Sequence, residues 1–466
     1  MKEEIGNEIE TCEVRKLMWK LAIPSIIAEL VNVIYNIVDR VFLGHIGAEG
    51  AVALAGLGIV VPLITLLDAF IFLVGNGGAP LAAISMGQRD SERTQKIIGN
   101  SWVMLIVLAV IATLLLMTCG DPLLKMFGAD ADTLPYAKKY LSIYTLGTPG
   151  VVMALGLNPF LTTQGANRIS MRNVAIGALL NCILDPLLIY GFHMGIAGAA
   201  VATVVGQYVT AILTIRYLTG DKTGIKLHVV KPEWSVIGQI LALGLSIFFI
   251  YITTSLVSLV FYRLLRSYGD YRYITVLSIL ESISQIFIRL IRGTGQGAQP
   301  ILSYSFGAGN LERLKETTSV LVKSTAAISM VTNGLVMIFP QVFFRIFTDD
   351  PDIIALGCDC LRVYMWGQLF LGIQFGLQEM FRAIGFTKIS MFVATVRKLV
   401  LLIPMTYILT LIFGVGPKGV FIAEGISDFT GVVVTIILYA SVRKRIGMRT
   451  RKNYEDRRQA VVCEQV

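Results

Sequence analysis

Four polar residues near the amino terminus recur at helical spacing. In AELVNVIYNIVDRVFLGHIG, Glu29, Asn32, Asn36 and Asp39 follow one another at steps of three, four and three. That spacing lays them along one stripe of a helix. Farther on, ALLNCILDPLLIYG places Asn181 and Asp185 one turn apart on a shared face. Pro186 frees a backbone carbonyl beside them, and Thr203 and Gln207 follow, again one turn apart. Two carboxylates, an amide and a hydroxyl are what a proton or Na⁺ site uses. Neighbouring carboxylates share a proton more readily than both stay ionised, and oxygen donors suit a small hard cation.

Other chemistries find little support. Of the six cysteines only Cys358 and Cys360 are close, and two residues apart on a helix they point in different directions. All six read as small apolar fillers or tail thiols. His45, His193 and His228 are too scattered for a metal cluster, and no GxxxxGK[ST] phosphate loop occurs. The opening MKEEIGNEIETCEVRK is polar and acidic, unlike a cleavable signal peptide. No cofactor is expected beyond H⁺ or Na⁺ as a coupling ion.

The elements that must position these groups follow from composition. Of 466 residues, 55% are hydrophobic and 15% charged, too little polarity to surface two or three soluble domains. A spanning helix needs about 20 apolar residues, so the length suits about twelve spans. Apolar runs lie near 17–44, 52–86, 97–119, 136–160, 170–191 and 196–218, then near 235–266, 272–305, 317–346, 353–384, 388–413 and 417–442. Residues 1–16 form a polar segment, 219–234 a linker and 443–466 a basic tail.

The charge bias orients the chain. With both termini in the cytoplasm, inner loops hold Arg89, Arg93, Lys96, Arg168, Lys222, Lys226, Lys231, Arg313, Lys315 and Lys388. The tail adds eight cations from Arg443 to Arg458. The opposite loops hold Asp121, Asp130, Asp132, Asp349, Asp350 and Asp352. This is the positive-inside pattern. It accounts for the net charge of +9 without a nucleic-acid partner; the tail reads as a solvated anchor near anionic headgroups.

The chain also repeats itself at an offset of 220. GNGGAPLAAISMGQRDSER at 75–93 meets GQGAQPILSYSFGAGNLER at 295–313, and GANRISM at 165–171 meets GFTKISM at 385–391. Leu141, Tyr144 and Gly147 echo in Leu361, Tyr364 and Gly367. After one inserted residue, Gly195, Gly198 and Ala202 meet Gly416, Gly419 and Ala423. The expected fold is all-α and polytopic. Twelve transmembrane helices form two parallel six-helix lobes, 17–218 and 235–442, related by a pseudo-two-fold axis along the membrane normal. Two lobes in one chain suffice as a monomer, with the lipid bilayer as surroundings.

Shared features then read as architecture: the glycines of 75–87 and 295–307 permit close helix packing, and Glu92–Arg93 and Glu312–Arg313 cap loops. Features of one lobe are the better candidates for chemistry. An ionisable group at the centre of a span costs at least about 2.5–3.5 kcal/mol unless paired or wet. At the repeat offset Asp39 meets Leu259, Asn181 meets Leu401 and Asp185 meets Met405. The first lobe is therefore expected to hold the ion site. A structural alternative pairs Asp39 with Arg40. In the second lobe Glu281, Gln285, Arg289 and Arg292 make a charged stripe, followed by Glu379, Arg382, Glu424 and Asp428. Glu281, Gln285, Arg289 and Glu379 either line a substrate cavity or form ion pairs such as Glu281 or Glu379 with Arg289. Arg382, Lys388, Arg397 and Lys398 are expected to snorkel at helix ends.

These residues resemble a known family. DRVFLGHIG from Asp39, the loops ending GQRDSER and GAGNLER, and NCILDPLLIYGFHMGIAGAAVATVVGQ are similar to motifs of the multidrug and toxic compound extrusion (MATE) family, in its DinF-like and MepA-like bacterial branches. The likeness spans about residues 15–445. It implies an antiporter in the bacterial cytoplasmic membrane that exports small organic, often cationic compounds against H⁺ or Na⁺. It implies an ion site of Asp39, Asn181, Asp185 and Thr203, which would ligate Na⁺ if that is the ion, and a first helix that bends at Pro24. Asn32 and Asn36 would support the site. Another branch carries coupling acids on helices seven and ten; the seventh span here has none, and Glu379 is not equated with that branch's acid. Two other readings stand beside antiport. One is a flippase for a lipid-linked or anionic precursor, which the eighth-span arginines allow. The other is a membrane enzyme, for which no histidine has a neighbouring acid.

Overall fold

The computed structural model describes residues 12–44, 50–126, 129, 133–220, 223, 226–228, 230–268, 271–347 and 351–464. His45, Asp130, Asp132, Lys222, Asp349 and Asp350 lie outside them, as do the side chains of Asn32, Asn36, Arg40, Arg457, Arg458 and Cys463. The described residues form helices and connecting turns, with no strand among them.

Twelve helical rods follow in order. They begin with α1 (Val14–Gly44), α2 (Gly50–Gly87), α3 (Ser91–Met126), α4 (Leu134–Thr163), α5 (Asn167–Pro186, continued by a π-helical turn Leu187–Gly191) and α6 (Ile196–Thr219). Next come α7 (Trp234–Ser267), α8 (Tyr271–Gly307) and α9 (Leu311–Ile338). The tenth rod, α10, is Pro351–Met365 and Leu371–Ala383, joined by a tight 3₁₀ turn, Gly367–Phe370. The eleventh, α11, begins as Thr387–Thr395 and runs through the π-helical stretch Val396–Leu402, Ile403–Tyr407 and a second π turn, Ile408–Ile412. The last, α12, is Lys418–Glu464. Ten helices among the described residues are long and apolar enough to cross a membrane, and eleven if the two halves of α10, bent by 41°, are one span. Large apolar side chains on their outer faces, such as Val110, Leu114, Ile183 and Ile437, are exposed, as lipid-facing residues must be.

Three boundaries differ from those expected. The ninth span stops at Ile338, because Pro340 cannot continue the helix and starts a short one, Pro340–Arg345. The tenth is broken. No break separates the twelfth span from the tail: α12 is 47 residues long, about 70 Å at 1.5 Å per residue against a hydrocarbon core of about 30 Å, so it projects well beyond the bilayer.

The chain divides into two compact units. The first comprises Ile27–Phe248 among the described residues, and the second Cys12–Ile26 with Phe249–Val466. Thus α1 and α7 each pass from one unit into the other, two to four residues beyond Pro24 and Gly244. These two positions correspond at the repeat offset. One cannot donate the intrahelical bond and the other lacks a side chain, so both weaken the helix there.

In the first unit Gly75 of α2 lies against the backbone of Gly156 on α4, and Gly77 lies against Ile240 and Gly244 of α7. In the second, Gly297 of α8 lies against Ala22 of α1. The shared glycines are therefore points of backbone-to-backbone approach. The caps of α3 and α9 differ from expectation. Asp90 accepts the Arg93 amide at 2.9 Å and Asn310 accepts the Arg313 amide at 3.0 Å. Short polar side chains cap helices better than Glu or Arg; Glu92 and Glu312 occupy first turns, where they complement the helix dipole.

The repeat is written into the backbone as well. Every described residue with positive φ has its counterpart: Arg89 (61°) and Gly309 (74°), Gly165 (73°) and Gly385 (78°), His193 (53°) and Gly414 (66°), Gly195 (57°) and Gly416 (69°). The first two pairs lie 220 apart and the last two 221. The extra residue falls between them, where α11 has a π stretch that α5 lacks. A π turn is how a helix absorbs one inserted residue. Past it, the counterparts of Asn181 and Asp185 are Leu402 and Thr406, one residue beyond the Leu401 and Met405 of a uniform offset. The second lobe still has no carboxylate at either place.

Candidate functional site: a buried polar cluster between α1, α5 and α6

Within the first unit α5 and α6 approach closely enough that a Cβ on Gly177 would strike the carbonyl of Gly206 and the hydroxyl of Thr210. Small residues on both helices make the approach possible and leave a cavity on its α4 side. Asn158, Gly177, Asn181, Thr203, Gly206 and Gln207 line it. Asn181 is the centre of the polar floor. Its amide donates to Asp185 Oδ1 at 3.3 Å and to Thr203 Oγ1 at 3.4 Å. Asn181 and Asp185 are buried, with 2% and 0% of their surface exposed. Asp185 Oδ2 and Asn181 Oδ1 accept no hydrogen bond, so two buried acceptor atoms still lack a donor or a cation.

Asp39 completes the group from α1. It is buried and lies close enough to Asp185 and to Cys182 for its charge to act on both. The ends of these helices are fastened together. Tyr190, in the π turn after α5, donates to the Phe42 carbonyl at 2.7 Å and packs edge-on against the Phe42 ring. The π turn carries the chain past Pro186. The structure thus brings together Asp39, Asn181, Asp185 and Thr203, four residues from three helices. Pro24 is buried within α1. The side chains of Asn32 and Asn36 lie outside the described residues, and so does the Arg40 partner considered for Asp39.

The second-lobe candidates separate. Glu281 accepts from Tyr262 at 3.0 Å and from Ser258 at 3.4 Å. Gln285 is exposed and Arg289 half-buried. Glu379 pairs with Arg382, and Arg382 does not snorkel. Arg397 and Lys398 depart from expectation too: they are half-buried, in ion pairs with the buried Asp428 and Glu424. Hydropathy places a charge along a helix but not around it, and the π stretch turns both cations onto α12. Arg292 donates to the Tyr251 hydroxyl at 3.3 Å and lies over its ring.

Sequence reasoning missed Asn158, which accepts from Ser170 at 2.7 Å. The repeat held the signal: at the same offset Gln378 donates to the carbonyl of Ser390. Among the described residues no group of three or more His, Cys, Asp or Glu could hold a metal ion.

Comparison with known proteins agrees with the fold. The MatE family model matches residues 24–187 and 242–408. The chain is 27% identical to the multidrug export protein MepA of Staphylococcus haemolyticus (strain JCSC1435), over 96% of this chain and 98% of that protein. It is 26% identical to MepA of Staphylococcus aureus (strain MSSA476), over 94% of this chain and 97% of that protein. A solved structure of a multidrug resistance MATE family transporter of the MOP superfamily, in an outward-facing conformation, superposes with a TM-score of 0.88 at 22% identity, covering 96% of this chain and 99% of that one.

Proposed function

This chain belongs to the MatE family of membrane transporters, and from that premise we propose that it exports small organic compounds in exchange for H⁺ or Na⁺. The observation that carries this reading is the meeting of Asp39, Asp185, Asn181 and Thr203 beside the α5–α6 cavity. The relatives named multidrug export proteins support the cargo class.

The geometry supplies a coupling step. With both carboxylates ionised, Asp39 and Asp185 repel each other across the α1–α5 contact. A proton on Asp185 Oδ2, or Na⁺ held by Asp39, Asp185, Asn181 Oδ1 and Thr203, removes that repulsion and lets α1 settle against α5. Asn181 and Thr203 also line the cavity, so ion and exported compound compete for those two groups. A ligand shifts an equilibrium only by its differential affinity for the two states, and this competition provides that difference. Pro24 gives α1 a point at which to yield. Both termini lie in the cytoplasm of a bacterial cell in this reading, the protein sits in the cytoplasmic membrane, and one copy is sufficient.

The test is export of a fluorescent cationic dye from energised cells, wild type beside Asp39→Asn, with and without Na⁺ and with a proton uncoupler. The expected result is export by the wild type, its loss in Asp39→Asn, and dependence on one of the two ions. Equal export by both proteins would remove Asp39 from coupling.

A further inference from the structure

The second unit holds a buried charge cluster that the proposed coupling site does not use. Arg397 bonds to Asp428 and Lys398 to Glu424, joining α11 to α12. Glu281 faces them from α8: among the described residues the charged groups that act on it are Glu424 and Lys398. Those that act on Asp428 are Glu424, Arg397 and Lys398. Tyr262 and Ser258 donate to Glu281 from α7. Tyr364 of α10 faces Glu424, Glu281 and Asp428, and the Phe375 ring lies under Arg397.

The cluster occupies the place that the first-unit cavity occupies in its own repeat. Thr203 corresponds to Glu424 and Gln207 to Asp428, at the offset of 221 that holds beyond the π stretch. Gly177 and Ala178 correspond to Arg397 and Lys398 at 220. The contacts correspond as well. Where Gly177 touches Gly206, Ser427 donates to the Arg397 carbonyl at 2.6 Å. Where Gly177 faces Thr210, Arg397 packs on Gly431. One half of the repeat leaves this space open, and the other fills it with two tethered cations.

Filling is incomplete in charge. Among the described residues, Arg397 and Lys398 are the cations that act on Glu281 and Asp428, two against the three carboxylates Glu281, Glu424 and Asp428. The side chains of Glu424 and Asp428 are 5% and 1% exposed, yet Glu424 Oε2 and Asp428 Oδ2 accept no hydrogen bond. One uncompensated negative charge at membrane depth, next to two bare carboxylate oxygens, is costly unless a positive charge joins it.

We propose that this α8–α11–α12 cluster is a second proton-binding site, at which Glu281, Glu424 and Asp428 together take up one proton. The proton brings the cluster to neutrality without displacing Arg397 or Lys398. Its place in a transport cycle rests on the antiport reading above; the binding does not.

The test is infrared spectroscopy of the purified full-length chain, reading the carbonyl stretch of neutral carboxylic acids. Asp39→Asn/Asp185→Asn removes the first-unit site and serves as background. The expected result is a neutral-acid band in that background near neutral pH without Na⁺, lost when Glu424→Gln/Asp428→Asn is added. Glu281→Gln, which leaves both ion pairs in place, should lose the same band and covers a double variant that fails to fold. Persistence of the band on adding Na⁺ supports the proton, and its loss would overturn the proposal. Absence of a band in the background would show a fixed ion-pair cluster and overturn the proposal. Dye export by Asp39→Asn reports separately on the antiport reading, so either can fail alone.

Discussion

Asp428 and Arg397 illustrate what one buried side chain decides. Removing a single partner of a buried ion pair leaves an uncompensated charge and costs about 3–5 kcal/mol. Arg397→Met, which leaves Glu281, Glu424 and Asp428 with Lys398 as their one cation among the described residues, should therefore lower the midpoint of thermal unfolding in detergent sharply. Arg397→Met with Asp428→Leu should recover most of that loss, because apolar replacement of both partners is often neutral or stabilising. Equal destabilisation by the single and double variants would mean that the pair contributes packing rather than charge compensation. In the first unit Asn181 plays a different part, since its one amide serves both Asp185 and Thr203. A hydrogen bond to a charged group contributes about 1.5–3 kcal/mol, and each 1.4 kcal/mol is about tenfold. Asn181→Ala should slow export by at least about tenfold, with a fall in the thermal midpoint no larger than the loss of that bond implies. A large fall in the midpoint with normal export would make Asn181 a packing residue.

The turn between α2 and α3 and its counterpart between α8 and α9 place different residues in the same left-handed conformation. Arg89 has φ 61° and Gly309 has φ 74°. A side chain in this region costs roughly 1–2 kcal/mol, and glycine escapes that cost but gives back about 0.4–1 kcal/mol in unfolded-chain entropy. Arg89→Gly should thus be neutral or slightly stabilising. Gly309→Ala should destabilise by more than about 1 kcal/mol, since a Cβ there would also run into the backbone of Tyr454. Thermal unfolding of the two variants side by side checks both signs. The comparison also shows what was legible at this scale. Hydropathy alone outlined the helices, and the offset of 220 marked the two turns as equivalent. Asp39, Asn181 and Asp185 stood out because the uniform offset sets them against Leu259, Leu401 and Met405. The break in α10 and the π turns were not legible, because a one-residue insertion appears in the sequence without its position in the helix. That hid the facing of Arg397 and Lys398 and shifted the counterpart of Asp185 from Met405 to Thr406. Pair contacts such as Asn158 with Ser170 were hidden for another reason: each residue alone is an ordinary polar group in a helix.

At the scale of the whole molecule the charge distribution can be traced onto faces within each unit. In the first, Lys96 pairs with Glu233 at 3.3 Å, the Glu233 amide reaches Asn100, and Thr223 bonds Gln164. The turn before α3, the turn before α5 and the linker therefore share one end of that unit. In the second, α12 carries the tail back over the equivalent turns. Asn453 donates to the Phe306 carbonyl at 2.9 Å, Arg449 lies over the Phe386 ring, and Thr450 is fully buried. Arg443, Lys444, Arg445, Arg451 and Lys452 remain exposed beside them, while Asp121 and Asp359 lie in other stretches of chain, paired with Lys138 and Lys418. Basic residues are retained on the cytoplasmic side during insertion, so the ends bearing Gln88 and the tail should face inward. Single-cysteine variants test this in a cysteine-free chain. Asp121→Cys should react with a membrane-impermeant maleimide in intact cells, and Gln88→Cys only after permeabilisation. The reverse pattern would invert the topology, and with it the direction in which the Asp39–Asp185 site must load its ion.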